Sequence, residues 1–285
     1  MMNLRTLKAA IPWPAKIAAK IVLSRLPLGY GLWQRLQLFR HGQMTDPSYA
    51  ERVFAEHAGL IPTPAGRLPV LLELGPGDSL LSVLLGCRSG AGHTWLVDAG
   101  KFAVDDAAFY SRAATELGVE GGPWATMAEM LRACRGTYLT GGMESLRSLP
   151  GASVDFIWSQ AVLEHVRRAE FAATAAELRR VLRAGGRMSH VVDFKDHLGG
   201  KLNSLRFTPE TWEGRLFSES GFYTNRLRLS EVTDAFEAAG FSVEVRARAS
   251  WSSLPTPRIA MDPSFQRLTD EDLLVSDAHL VMQPR

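Results

Sequence analysis

Cysteine is scarce in this 285-residue sequence, which contains only Cys87 and Cys134. Two cysteines provide neither a disulfide framework nor the paired spacing of a zinc site, so the sequence predicts a reducing, cytoplasmic location. A run of about 18 uninterrupted apolar residues is also missing, which argues against an integral membrane segment. The longest apolar stretch, residues 17–33, is interrupted by two basic residues and a proline and is therefore a poor signal peptide as well.

Acidic residues are absent from positions 1–45, which carry seven lysines and arginines. The remainder carries 25 basic and 30 acidic residues, although the net charge of the whole chain is only +2. A basic amphipathic leader can contact an anionic membrane, a nucleic acid or an acidic substrate. The favoured alternative is a solvated helix face that docks on the acidic body of the same chain.

Helical periodicity dominates the first part of the sequence, residues 13–58. Asp46 and Pro47 have the pattern of an N-cap followed by proline at the first helical position, and they predict a helix through His57. A second apolar helix is predicted over residues 32–39. We expect residues 1–65 to form a helical lid that is hinged around residues 40–44, where a glycine interrupts the helical pattern.

Beyond residue 66, short apolar runs alternate with helical stretches. This alternation predicts an α/β fold with a parallel sheet and helices on both of its faces. The predicted strands are 70–74, 94–97, 137–139, 155–158, 187–192, 241–247 and 278–283. The predicted helices between them are 80–85, 103–117, 126–133, 168–183 and 230–239. Because no helix follows the last strand, we expect the final two strands to pair as an antiparallel hairpin at one edge of the sheet.

The strongest local signal is the segment VLLELGPGDS at residues 70–79, a strand that leads into a glycine turn and a helix. Ligands of open α/β sheets bind at the carboxyl ends of the strands, so this turn is expected to face a ligand. The third glycine of a dinucleotide fingerprint is replaced by Leu80, and no P-loop lysine follows. The acidic neighbours Glu73 and Asp78 favour a cationic ligand over a pyrophosphate.

Three further segments stand at the ends of predicted strands. Asp98 follows the second strand, 23 residues after Gly75, near the spacing expected of an acid that binds ribose hydroxyls. Residues 140–144, TGGME, end the third strand where a loop can contact an adenine ring. Residues 155–166 and 178–187 complete the series with the segments DFIWSQAVLEHV and LRRVLRAGGR.

Taken in order, these segments resemble class I S-adenosylmethionine-dependent methyltransferases, in particular the UbiE-like small-molecule branch with its Leu-Glu-His segment. The resemblance covers residues 68–193 well and the final strands loosely. It implies a Rossmann-like sheet of seven strands, mostly parallel, and S-adenosyl-L-methionine as the cofactor. The residues that it assigns to the cofactor are Glu73, Gly75, Gly77, Asp98, Met143, Glu144 and Ser159. Where Gly142 stands, the family often has an aspartate, so Glu144 or water is expected to contact the adenine amino group instead.

Several substrate classes are excluded by missing motifs. The segment Ser159-Gln160-Ala161-Val162 stands where methylation of base amino groups would need Asn/Asp-Pro-Pro-aromatic. Neither cysteine is suitably placed for cytosine C5 chemistry, and the acidic body argues against a nucleic-acid partner. A small-molecule substrate remains the expectation.

Methyl transfer to a hydroxyl benefits from a base, and histidine is the usual one. His165 follows the fourth strand and Asp193 ends the fifth, so both are predicted catalytic residues. The alternative for His165 is a structural role at the start of a helix. Metal binding near Asp193 is disfavoured because strand alternation places His190 on the opposite face.

Residues 194–229 form an insertion that is too long for an ordinary strand–helix loop and is rich in aromatic side chains. We expect this substrate cap to present His197, Tyr223 and Arg226 to the acceptor. A homodimer contact, or a lid without specificity, is the alternative. The predicted domains are thus the lid (1–65), the cofactor-binding core (66–193), the cap (194–229) and the rest of the sheet (230–285).

The sequence therefore predicts an enzyme, a small-molecule O-methyltransferase in natural-product or glycan biosynthesis. A second hypothesis keeps the cofactor and changes the acceptor atom to nitrogen or carbon, or uses the sulfonium for another displacement such as cyclisation. A third is a pseudo-methyltransferase that serves as a binding scaffold, against which the intact glycine turn, Glu73 and Asp98 argue.

Overall fold

The computed structural model describes residues 13–24 and 43–285. Its centre is a seven-stranded sheet with strand order β3-β2-β1-β4-β5-β7-β6. The strands are β1 (Val70–Leu74), β2 (His93–Val97), β3 (Gly136–Leu139), β4 (Val154–Gln160), β5 (Leu182–Asp193), β6 (Phe241–Ser250) and β7 (Val275–Pro284). Strands β1 to β5 pair in parallel, and β7 is antiparallel to both of its neighbours. The predicted Rossmann-like sheet and its antiparallel end are confirmed.

Helices cover both faces of the sheet. In chain order they are α1 (Trp13–Ser24), α2 (Pro47–Ala58), α3 (Leu81–Arg88), α4 (Ala107–Glu116), α5 (Met127–Ala133), α6 (Met143–Ser148), α7 (Phe171–Val181), α8 (Pro209–Glu213), α9 (Arg215–Ser218), α10 (Leu229–Ala238), α11 (Pro263–Gln266) and α12 (Asp270–Leu274). Adjacent strand residues point to opposite faces, so Leu71 packs beneath α2 and α3 while Leu72 packs beneath α7 and α10. Two separate apolar cores result, one on each face.

Capping side chains set the helix starts. The carboxylate of Asp46 accepts hydrogen bonds from the backbone N–H groups of Ser48 (2.9 Å) and Tyr49 (3.3 Å), as the sequence predicted. The helix predicted from residue 103 begins four residues later, because Asp106 caps it in the same way. Similarly, the helix predicted from residue 168 opens with a short 3-10 turn, and its α-helical part begins at Phe171.

The cap packs against two other parts of the chain. Ile17 of α1 lies in a cluster with Trp212 and Phe222 of the cap. The segment 251–274 between β6 and β7, which the sequence analysis did not single out, contributes Met261 and Phe265 to a cluster with Leu202 and Leu205 of the cap. The cap is therefore fixed on one side by α1 and on the other by this second insertion.

Two sequence predictions lie outside the described residues: the helix 32–39 and the first three residues of the hinge at 40–44. Within the described ranges, no helix is long and apolar enough to cross a membrane.

Candidate functional site

Backbone hydrogen bonds bring the loops after β1, β2 and β3 together at one edge of the sheet. The N–H of Gly75 donates to the carbonyl of Val97 (2.8 Å), and the N–H of Asp98 donates to Leu139 (2.9 Å). The N–H of Gly142 then donates back to the carbonyl of Asp98 (2.8 Å). Three segments that are distant in sequence thus form one continuous rim at the carboxyl ends of the strands, where such folds bind ligands.

The glycine turn requires glycine for two reasons. Gly75 and Gly77 have φ values of +70° and +67°, a region that strains other residues. A Cβ on Gly75 would also lie 2.6 Å from Cγ2 of Val162, which follows β4. Val162 is turned in this direction by Ala161, a non-glycine residue that itself has φ +53°. The turn and the end of β4 therefore approach each other closely.

Asp98 joins the turn to the end of β2. Its Oδ2 accepts a hydrogen bond from the N–H of Gly77 (2.9 Å), and its Oδ1 accepts from the N–H of Ala99 (2.7 Å). A carboxylate at the end of the second strand is the kind of group that accepts hydrogen bonds from ribose hydroxyls in folds of this type. The acid is 8% exposed, which allows contact with a ligand at the rim. This arrangement suits a ribose diol.

Glu73 is buried one layer below the turn. Its carboxyl group accepts a hydrogen bond from the hydroxyl of Ser82 on α3. Burial raises the pKa of Glu73 to about 8, with the nearby charge of Asp98 acting in the same direction. Ser79, at the end of the turn, donates to the carbonyl of Met44 and so links the turn to the segment that precedes α2.

The rim after β3 explains the absence of the family's aspartate. Gly142 has φ +55° and ψ −125°, and its Cβ position lies 3.5 Å from Cα of Ala99. An aspartate would be strained there. Met143 begins α6 and is half-buried against the apolar core. Glu144 requires a correction: its exposed side chain pairs with Arg147 (2.6 Å) instead of turning toward the rim.

Ser159 also departs from its predicted role. It lies on the face of the sheet that carries α7 and α10, fully buried, with its hydroxyl 2.7 Å from Nδ1 of His190. Burial lowers the pKa of His190 to about 3, so this pair is a neutral polar contact inside the core. Its hydroxyl is engaged away from the rim, and we do not retain it as a cofactor ligand.

Three predicted residues meet above the end of β4. His165 ends a 3-10 turn, Leu163–His165, and its Nδ1 lies 3.1 Å from the backbone carbonyl of Tyr223. The ring centroids of His165 and His197 lie 4.9 Å apart in an edge-to-face arrangement. Because a carbonyl oxygen only accepts, Nδ1 of His165 must carry a proton, and the neutral ring then has its basic lone pair on Nε2.

The predicted roles of Arg226 and of the Tyr223 phenol need correction. The guanidinium of Arg226 is buried, donates to the carbonyls of Phe207 (2.7 Å) and Ser204 (3.3 Å), and lies over the ring of Trp212. The Tyr223 hydroxyl donates to Glu213 (2.7 Å), and burial raises its pKa. Both groups stabilise the cap itself, so neither is available to an acceptor.

Asp193 lies in an acidic environment at the end of β5. It accepts a hydrogen bond from the backbone N–H of Lys195 (2.7 Å) and pairs with the ammonium of the same residue (3.1 Å), while burial raises the pKa of Asp193.

Glu164 is a buried acid that was not among the predicted site residues. It is 4% exposed, and neither of its carboxyl oxygens forms a hydrogen bond within the described residues. Burial raises the pKa of Glu164 well above its usual value, and Asp193 adds to this effect.

A second polar cluster was not anticipated either. Ser189 on β5 lies 2.7 Å from Nδ1 of His57 and 2.7 Å from Nε2 of His279. Nε2 of His57 faces Oε1 of Gln160 at 3.4 Å. Burial lowers the pKa of His57 to about 4. In the described part of the chain, no group of three or more His, Cys, Asp or Glu side chains is placed to hold a metal ion.

The strand order defines a sheet of the Rossmann-like class. Residues 72–189 match the family model described as a methyltransferase domain. Over these residues the chain is therefore similar to methyltransferase domains, in agreement with the resemblance seen in the sequence. No curated protein gives a significant match.

Solved structures resemble the chain at low identity. An S-adenosylmethionine-dependent methyltransferase from Mesorhizobium loti is 14% identical, with 78% of this chain and 94% of that chain covered and a TM-score of 0.44. The YcgJ protein from Bacillus subtilis is 17% identical, with 76% and 92% covered and a TM-score of 0.45. The CurJ carbon methyltransferase is 15% identical, with 89% and 58% covered and a TM-score of 0.46.

Proposed function

We propose that this protein transfers the methyl group of S-adenosyl-L-methionine to a hydroxyl group of a small molecule. The observation that carries the proposal is the hydrogen bond between the glycine turn and Asp98, at the rim where His165 follows the neighbouring strand β4. This arrangement supports a cofactor site and a candidate base at the same edge of the sheet.

The chemistry of the residues at the rim supports S-adenosyl-L-methionine as the cofactor. Backbone at Gly75 and Gly77 can approach it because neither residue has a Cβ, and the carboxylate of Asp98, held at the rim by two backbone N–H groups, suits the ribose hydroxyls. Met143 offers an apolar contact for the adenine ring. When bound, the cofactor supplies a methyl group activated by its sulfonium.

His165 is the candidate base of the proposed reaction. The proton on Nδ1 is held toward the carbonyl of Tyr223, so Nε2 is the nitrogen that accepts the proton of the acceptor hydroxyl. His197, whose ring contacts His165, stays a candidate substrate contact. The contact of α1 with the cap supports the proposal that the N-terminal helices close over this edge.

Calorimetry with S-adenosylmethionine tests the cofactor site. Asp98→Ala should raise the dissociation constant about 10- to 100-fold, because charge-assisted hydrogen bonds to hydroxyls contribute about 1.5–3 kcal/mol. Asp105→Ala is the matched control, since the Asp105 side chain is exposed and pairs with Lys101 at the surface. An unchanged dissociation constant for Asp98→Ala would remove Asp98 from the site.

The acceptor class needs a separate experiment. The wild-type protein is incubated with methyl-labelled S-adenosylmethionine and a panel of small hydroxylated, amino and carbon acceptors. Label transferred to hydroxyl compounds supports the proposal. Transfer to nitrogen or carbon alone, or conversion of the cofactor without methylation, contradicts O-methylation and favours the corresponding displacement reaction.

A further inference from the structure

The run Tyr223–Arg228, here the clamp segment, is bound to the protein at nearly every residue. The carbonyl of Thr224 accepts from Nε1 of Trp212 (2.7 Å), and Arg228 donates to the carbonyl of Phe194 (2.8 Å). Arg226 keeps φ +60°, a conformation that strains a non-glycine residue. Such a backbone persists only where its surroundings fix it.

Asn225 connects the clamp segment to the turn that carries His165. Its Nδ2 donates to the carbonyls of Leu163 (2.8 Å) and Val166 (2.9 Å), on either side of His165. Its backbone N–H donates to the carbonyl of Glu164 (2.7 Å). These three bonds span about 60 residues of sequence and fix the whole turn, and the Asn225 side chain is buried.

Two residues earlier, the clamp segment supplies the carbonyl of Tyr223 that faces Nδ1 of His165 at 3.1 Å. We infer that Asn225 is a positioning residue: by holding the turn against the clamp segment, it keeps the proton of His165 on Nδ1 and leaves Nε2 as the base. This inference rests on the proposed function, because the Nδ1–H tautomer matters for catalysis only if His165 is the base of the reaction. The tautomer itself can be measured without any acceptor or cofactor.

The experiment records the tautomer of His165 in full-length protein labelled with ¹⁵N-histidine, by long-range proton–nitrogen correlation. The His165→Gln spectrum identifies the His165 signals by their loss. Wild-type His165 should be protonated mainly on Nδ1. Asn225→Ala should shift the ratio of the Nδ1–H to the Nε2–H form about tenfold toward Nε2–H, because one hydrogen bond to the ring is lost. Asn225→Asp should do the same, since it lacks both Nδ2 donors.

Two controls separate positioning from general loosening of the cap. Asn203→Ala removes another buried cap asparagine, whose side chain accepts a hydrogen bond from Nε of Arg206 (3.2 Å), and should leave the tautomer unchanged. Tyr223→Phe removes the phenol and keeps the carbonyl, so it should also leave the ratio unchanged. If Asn225→Ala does not fold, Asn225→Ser provides the same measurement.

The inference fails if the Asn225 variants keep the wild-type tautomer ratio, or if the wild-type ring is protonated mainly on Nε2. Cofactor calorimetry on the same samples distinguishes the two proposals. A protein that binds no S-adenosylmethionine contradicts the proposed function, while a tautomer that responds to Asn225 still supports the positioning role.

Discussion

Glu73→Gln should stabilise the protein, and the gain should grow with pH. The carboxyl group of Glu73 is buried beneath the glycine turn, so folding favours its neutral form and raises its pKa from 4.5 to about 8. The unfolded chain releases this proton near its usual pKa, whereas the folded chain retains it until the pH approaches the raised value. Unfolding therefore becomes easier as the pH rises from 4.5 toward 8.

The size of the effect follows from the two pKa values. Each pH unit between them corresponds to about 1.36 kcal/mol. From pH 5 to pH 7, the free energy of unfolding of the wild type should fall by about 2.5 kcal/mol relative to that of Glu73→Gln. The glutamine has the same shape and can still accept the hydrogen bond of Ser82, so no cavity is created. For a chain of this length, the melting temperatures should diverge by about 5 °C.

Urea denaturation at pH 5, 6 and 7 measures this difference. Glu144→Gln is the matched control, because the Glu144 side chain is 78% exposed and pairs with Arg147 at the surface. Its curves should follow the wild type at each pH. Parallel pH profiles for Glu73→Gln and the wild type would refute the reasoning, since they would mean that Glu73 ionises equally in the folded and unfolded states.

Four further predictions follow from the site. His165→Ala should lower turnover about 10²- to 10⁴-fold with cofactor affinity little changed, once an acceptor is known, and near-normal turnover would exclude the base. Gly75→Val should abolish cofactor binding measured by calorimetry, because its Cβ alone would lie 2.6 Å from Val162; retained affinity would show that the turn does not contact the ligand. As the pH falls from 6.5 to 4, the wild type should lose about 3 kcal/mol of unfolding free energy relative to His57→Gln in urea titrations, since burial lowers the pKa of His57 to about 4 and the folded state therefore resists its protonation. Deleting residues 1–45 should leave a folded core by circular dichroism that has lost turnover, and full activity would contradict the lid.

Sequence patterns alone predicted the sheet and the loops that meet at the carboxyl ends of its strands. These features are local: the alternation of strand residues, helix caps such as Asp46, and the glycine turn at Gly75. Each predicts its own structure from a window of about ten residues. The order of these segments was sufficient to place Asp98 at the rim, because the carboxyl ends of parallel strands meet at one edge.

The partners of polar side chains could be decided only by the tertiary structure. Ser159 and Arg226 carry suitable groups for a site, yet Ser159 contacts His190 across 31 residues and Arg226 contacts the carbonyls of Ser204 and Phe207 across about 20. Burial of these groups requires such partners, since an unpaired buried polar group costs about 1–3 kcal/mol. The hydrogen-bond partner of each buried group depends on how distant segments pack against each other. The residues next to that group in the sequence do not specify this packing. For the same physical reason, the fixing of the His165 turn by Asn225 became visible only when the cap was seen folded against β4.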